Sequence, residues 1–149
     1  MLRCGGTTFG VPIERVREIV MVPEITPVPE SGAFVRGIIN LRGRILPVLD
    51  LARRLGVVPE RREDGGRILV VEHDANHALG LLVDEASEVL RLPAEIIGPP
   101  PQTVGAAVPG SLRGVARLDD RLILLLDLDR VLSEPPAPGA ATALQEGRP

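Results

Sequence analysis

The sequence predicts a mainly β protein assembled from two similar small units, and three observations support this. The run Gly37-Ile-Ile-Asn-Leu-Arg-Gly-Arg-Ile-Leu-Pro-Val-Leu-Asp-Leu51 returns as Gly114-Val-Ala-Arg-Leu-Asp-Asp-Arg-Leu-Ile-Leu-Leu-Leu-Asp-Leu128, an offset of 77 (114 minus 37). Each copy reads as two apolar strands joined by a two-residue polar tip, the signature of a hairpin. An earlier run, Phe9-Gly-Val-Pro-Ile-Glu-Arg-Val-Arg-Glu-Ile-Val20, returns as Leu79-Gly-Leu-Leu-Val-Asp-Glu-Ala-Ser-Glu-Val-Leu90 at an offset of 70 (80 minus 10). The third observation is the alternation of short apolar runs with Gly and Pro, at the spacing of small barrels or sandwiches. The difference between the two offsets places the extra length of the second copy in its middle loop, where length changes cost little. Two copies are too few for an open solenoid, so the units are expected to fold side by side.

In chain order, strands are expected near residues 1–4, 8–12, 34–41, 44–50, 67–73, 78–84, 112–118 and 121–127. Three of them, Arg44 to Asp50, Arg67 to Glu72 and Arg121 to Asp127, are apolar on both faces, which predicts burial on both sides. Pro47 has no N–H and belongs at an edge or bulge. A short helix is expected after Pro12, with Ile13, Val16 and Val20 on one face. A second runs from an Asp50 N-cap to a Gly56 stop, and its counterpart covers Asp127 to Ser133. Residues 23–32 and 92–109 are proline-rich connections. From Glu134 to Pro149 there is little to bury, and disorder is expected. Carrying Met1 forward by 70 reaches Val71, whereas the matching strand begins near Arg67. The first strand therefore reads as about four residues short: the coding start is placed too late, or the strand is stunted or donated from elsewhere.

Composition removes several classes of function. The 149 residues are 44% hydrophobic, but Phe9 and Phe34 are the only aromatics, so the core must be aliphatic. All 17 basic residues are Arg, which excludes lysine catalysis and a phosphate-loop lysine. A net charge of -3 with mixed signs, and no Tyr or Trp for stacking, argues against nucleic acid. No apolar run approaches the ~20 residues of a membrane span, and the first ten residues lack a signal-peptide core. The single cysteine, Cys4, forms no disulfide framework and fits a reducing compartment.

Catalytic groups are few. His73 and His77 have a metal-like spacing on a helix, but Asp74-Ala75-Asn76 between apolar strands is turn chemistry, so an exposed hairpin tip is the better reading. Asp84-Glu85 invites an acid/base role, although a polar strand end is commoner. Ser31, Ser87, Ser111 and Ser133 stand in no nucleophile-elbow context.

Taken in order, the Phe9–Val20 run, Phe34-Val-Arg followed by the Gly37–Leu51 hairpin, the Gly80–Leu90 run and the Gly114–Leu128 hairpin closely resemble the CheW family of chemotaxis coupling proteins. The resemblance covers residues 1 to about 133. It implies two SH3-like five-stranded β-barrel subdomains with short connecting helices, one at about 1–66 and the other at about 67–133. It also implies no catalysis, no metal and no cofactor. The implied role is a cytoplasmic adaptor at membrane-associated receptor arrays. Such an adaptor joins the regulatory domain of the CheA histidine kinase to the cytoplasmic tips of methyl-accepting chemoreceptors. Adaptors of parallel pathways, for surface motility or gene regulation, share the pattern. A small β-barrel enzyme or ligand-binding protein is the remote competitor.

The same resemblance suggests partner-binding residues. A receptor tip is a helical hairpin laid in the groove between the units, with Val16, Ile45, Val83 and Val89 as contacts; plain core packing is the competing explanation for each. Arg42 occupies a hairpin tip where the second copy carries Asp119 and Asp120, a charge reversal that suits an interface anchor better than a core role. Glu18 matches a family position associated with that of Arg42, and an ion pair between them is expected. Gly37 and Asn40 complete the set, although backbone geometry and hairpin hydrogen bonds account for them as well.

Overall fold

The structure, a computed structural model, describes residues 1–29, 32, 34–60, 65–74, 77–87, 91–99 and 111–132. Its strands are β1 (Leu2–Cys4), β2 (Thr7–Gly10), β3 (Val16–Met21), β4 (Val35–Leu41), β5 (Arg44–Asp50), β6 (Arg67–Asp74), β7 (His77–Val83), β8 (Glu85–Ala86), β9 (Ile97–Gly98), β10 (Leu112–Leu118) and β11 (Arg121–Leu126). Two short helices, α1 (Leu51–Leu55) and α2 (Leu128–Leu132), follow β5 and β11. The protein is mainly β, with two sheets ordered β3-β6-β7-β5-β4 and β8-β1-β2-β11-β10-β9.

The sheets do not divide where the two sequence copies do. A cut near residue 66 would leave β6 and β7 with the second unit, yet they complete the sheet of β3, β4 and β5. The hairpin β1–β2 in turn joins β10 and β11 of the second copy. Each copy lends its first hairpin to the other. The parallel pairings that join them are repeat mates: Val48 faces Gly80 and Leu125 faces Gly10. The two units are thus interleaved, which side-by-side folding of sequence halves does not produce. The second sheet carries six pairing strands, two of them only two residues long.

Of the three strands read as apolar on both faces, β6 is buried on both, whereas β5 and β11 each expose an apolar residue near the hairpin tip, Ile45 and Leu122. On β6, Ile68 and Val70 pack with Ile39, Leu46, Val48 and Leu82 inside the five-stranded sheet. Its alternate residues, Leu69 and Val71, join Leu2, Phe9, Leu126 and both helices in the core between the sheets. At ~25 cal/mol per Å² of apolar surface, two such faces on one strand are a large share of the fold's driving force. Cys4 is buried in the same core.

The repeat holds in several local details. Asp50 and Asp127 each donate a backbone N–H to the carbonyl of the residue just before the preceding hairpin, Phe34 and Ser111 respectively, at 2.7 Å. Each caps the following helix by accepting an N–H, from Arg53 at 3.3 Å and from Arg130 at 3.2 Å. Gly56 ends α1 in the left-handed conformation, φ 75°, as a helix-stop glycine does. Both hairpins carry a bulge at the same place, Val35/Gly37 and Leu112/Gly114. Pro47 faces Ile38 in β5, just before the pairing of β5 with β7 begins at Val48, so its missing N–H is not required there.

The helix expected after Pro12 is corrected to a single 3-10 turn, Ile13–Arg15, followed by the strand β3. The apolar residues of β3 fall on both of its faces, which imitates a helical period, and pairing with β6 decides for the strand. The short strands β8 and β9 were not expected, because they carry too few residues for a periodic signal. The first strand is indeed shorter than its mate, with three residues in β1 against eight in β6. The tail expected from Glu134 onward lies outside the described residues.

Candidate interaction sites at a hairpin tip and a cleft

The β4–β5 hairpin turns through Arg42 and Gly43, both with positive φ (51° and 86°). This is the geometry of a tight two-residue hairpin turn. Gly43 donates its N–H to Asn40 Oδ1 at 2.9 Å, which braces the turn and gives Asn40 a local structural task. Arg42 pairs with Glu18 on β3. Since β3 and β4 are the two edges of the five-stranded sheet, this pair brings the tip of the β4–β5 hairpin within side-chain reach of the opposite edge strand. Both side chains keep solvent contact, so the pair contributes at most ~1 kcal/mol to the fold. Beside it, Ile45 is 60% exposed, an apolar side chain at a rigid cationic tip that also carries Arg44. Leu122, the repeat mate of Ile45, is exposed beside Asp119 and Asp120 on the other tip.

Gly37 has a structural reason to be glycine. Its φ is 147°, and a Cβ there would stand 2.2 Å from the carbonyl oxygen of Thr26. Thr26 and Ile38 exchange backbone hydrogen bonds at 2.9 Å in each direction, so the connection through Thr26 covers the open edge of β4.

A second feature lies at the seam of the sheets. A cleft of about 450 Å³ is lined by Gly10, Val11, Ile13, Val16, Ile19, Leu69, Ile97, Ile123 and Leu125, with Ser87 and Arg113 as polar points. It draws on β2, β9, β10 and β11 from one sheet and on β3 and β6 from the other. Ile13, Ile19 and Ile97 remain exposed at its margin.

The expected residues therefore separate. Val16 lines the cleft, whereas Ile45 stands away from it at the tip with Arg42 and Glu18. Val83 is fully buried in the core between the sheets, so it is a packing residue with no surface to offer a partner. Val89 lies outside the described residues. The cleft residues Ile13, Ile19 and Ile123 escaped the sequence reading because their proximity depends on the exchange of hairpins.

Two buried charged groups were also missed or misread. Arg54, 2% exposed, donates Nε to the Val131 carbonyl at 2.9 Å and Nη2 to that of Arg130 at 3.4 Å. Its guanidinium lies 5.0 Å from the centroid of the Phe34 ring. One helix thereby caps the C-terminal carbonyls of the other, at a position where the repeat mate of Arg54 is Val131 itself. Asp84 is 4% exposed, and its Oδ2 accepts N–H groups from Gly5 and Glu60 at 2.8 Å each. The neighbouring Glu85 is paired with Arg3 at 3.5 Å. His77 is hydrogen-bonded through Nδ1 to Asp74 at 2.6 Å on the β6–β7 hairpin. Among the described residues, no three His, Cys, Asp or Glu side chains group closely enough to hold a metal ion. Among the same residues, no helix is long and apolar enough to cross a membrane.

Comparison with known proteins agrees with this architecture. The family model of the CheW-like domain matches residues 1–135. The chain is 38% identical over 132 residues to the probable chemotaxis protein CheW of Rhizobium etli, covering 89% of this chain and 84% of that one. It is 34% identical over 122 residues to chemotaxis protein CheW of Thermotoga maritima, covering 82% and 78%. The crystal structure of the scaffolding protein TtCheW from Thermoanaerobacter tengcongensis superposes with a TM-score of 0.77 at 33% identity, covering 89% of this chain and 90% of that one. Sequence, repeat and two-sheet fold thus lead to the same place: this chain belongs to the CheW-like domain family.

Proposed function

We propose that this protein is a non-catalytic coupling adaptor of a chemotaxis signalling array. In this role it holds the cytoplasmic tips of methyl-accepting chemoreceptors against the regulatory domain of a CheA-type histidine kinase, in the cytoplasm beneath the membrane. The observation that carries this reading is the apolar cleft at the seam of the two sheets. An amphipathic helical hairpin offers the complementary shape, an apolar ridge with polar flanks, and helix-in-groove recognition needs little beyond that. The exposed tip of Arg42, Glu18 and Ile45 supplies a second surface, which we assign to the kinase; an arginine and an aliphatic residue on a rigid turn suit an interface centre. Both surfaces are built on the five-stranded sheet, through β3 at the cleft and the β4–β5 turn at the tip. A receptor that prefers one arrangement of this scaffold would bias the kinase bound to it, because coupling requires only differential affinity.

The test is a titration with a receptor-tip helical hairpin and, separately, with a kinase regulatory domain. Ile13→Arg and Ile19→Arg place charge at exposed cleft positions and leave the core intact. They should weaken receptor binding at least tenfold while the melting temperature and kinase binding hold. Wild-type protein that binds neither partner, or cleft variants that bind the receptor hairpin as well as wild type, would refute the reading.

A further inference from the structure

We propose that Asp84 is the positioning residue that holds the N-terminal hairpin in place as one wall of the cleft. The hairpin β1–β2 supplies Met1, Leu2 and Gly10 to that wall, and Val11 follows directly. It is weakly held by its own ladders. Two residues pair with β8, Leu2 with Ala86 and Arg3 with Glu85, and two pair with β11, Phe9 with Leu124 and Gly10 with Leu125. Its sister, β6–β7, has strands of eight and seven residues bordered on both sides by long strands. Short strands held by so few ladder pairings open locally unless something ties them down.

Asp84 provides that tie. One carboxylate oxygen, Oδ2, accepts the N–H of Gly5 at the hairpin turn and the N–H of Glu60 in the connection after α1, both at 2.8 Å. The backbone N–H of Asp84 donates to the Arg3 carbonyl at 3.0 Å, and that of Ser87 donates to the Met1 carbonyl at 2.9 Å. The turn itself is pressed against the same connection: a Cβ on Gly5 would stand 2.8 Å from the Val58 carbonyl oxygen. Among the described residues the other oxygen, Oδ1, is buried without a hydrogen-bond partner, an unfavourable placement that calls for an explanation. The clamp made by Oδ2 is that explanation, because gripping two N–H groups at once carries the whole carboxylate into the interior. Arg3, Glu60 and Glu85 border the small pocket beside it, and Glu85 is neutralised by Arg3. The clamp thus fixes a wall of the receptor-facing cleft from outside it, while the Arg42 tip on the other sheet does not depend on it.

The function of this role rests on the cleft reading above, so the experiment has two arms. In the first, amide hydrogen exchange on the full chain compares wild type with Asp84→Ala. Exchange at Gly5 and along β1–β2 should accelerate at least tenfold, with the amides of Val70 and Leu81 in the five-stranded sheet unchanged. In the second, receptor-hairpin affinity should fall at least tenfold while affinity for the kinase regulatory domain stays within twofold. Asp84→Asn keeps one carbonyl oxygen for both N–H groups and should restore both readouts, which a general loss of stability would not allow. If Asp84→Ala does not fold, Asp84→Ser, whose shorter side chain does not carry its oxygen out to both N–H groups, is read in the same way, with a smaller change confined to β1–β2. Unchanged β1–β2 exchange, or equal weakening of both partners, overturns the role. Failure of wild type to bind the receptor hairpin overturns the cleft reading alone, and the exchange arm then still decides the clamp.

Discussion

Arg54 offers the sharpest test of how the two units are joined. Replacing it with alanine removes two charge-assisted hydrogen bonds to the last turn of α2 and the cation above Phe34. Hydrogen bonds from charged donors contribute about 1.5–3 kcal/mol each, and the Val131 and Arg130 carbonyls would lose this donor. The Nη2 contact, at 3.4 Å, is the weaker of the two. A total of about 3–5 kcal/mol follows, in the range seen when one partner of a buried polar cluster is removed. Against a typical stability of about 5–15 kcal/mol this is a large fraction, and for a chain of this size it lowers the melting temperature by about 10 °C or more. Differential scanning calorimetry of Arg54→Ala, Arg54→Lys and the exposed control Arg117→Ala measures it. Lysine should recover only part of the loss, since it reaches as a single ammonium where arginine offers a planar fork. The control should melt within about 2 °C of wild type, as surface changes do. An Arg54→Ala protein that also melts within about 2 °C of wild type would show that the carbonyls of α2 do not need the guanidinium, and the account of the helix junction would be wrong.

Two further outcomes are expected. Arg42→Ala should change the stability of the free protein by no more than about 1 kcal/mol, because its partner is a solvated Glu18, yet weaken assembly with the kinase by about 2 kcal/mol, roughly thirtyfold, in a titration; an early melt with normal binding would make it a structural residue. Gly80→Ala places a Cβ 2.7 Å from Cγ2 of Ile68, which is fully buried and cannot retreat, so chemical denaturation should show a loss of about 1–3 kcal/mol, and an unchanged midpoint would mean that the strand crossing is looser than its geometry.

Much of this fold is legible in the sequence, for a definite reason. The hairpins β4–β5 and β10–β11 are local: the turn, bulge and capping aspartate of each lie within one short continuous segment, and the repeat writes the pattern twice. Strand ends at Arg44, Asp50, Leu112 and Leu118 follow from it directly. The double-sided burial of β6 was also legible, because an unbroken run of Ile68, Leu69, Val70 and Val71 has no polar face to offer to water. Asn40 and Gly37 were readable as turn and backbone residues for the same local reason.

What the tertiary structure alone decided is which hairpin joins which sheet. A repeat records that two units are alike, but the choice between closing each unit on itself and lending its first hairpin to the other depends on contacts between distant parts of the chain, to which no local propensity responds. From that exchange come the cleft, with residues from both sheets, the reach of Arg54 from α1 to α2, and the clamp of Asp84 on Gly5 and Glu60. It also separates Val16 at the cleft from Ile45 at the tip and places Val83 in the interior, three aliphatic residues that are chemically alike in sequence. Hydrophobic burial has no direction, so a pattern of apolar residues says that a side chain will leave water without saying which surface it will leave water against.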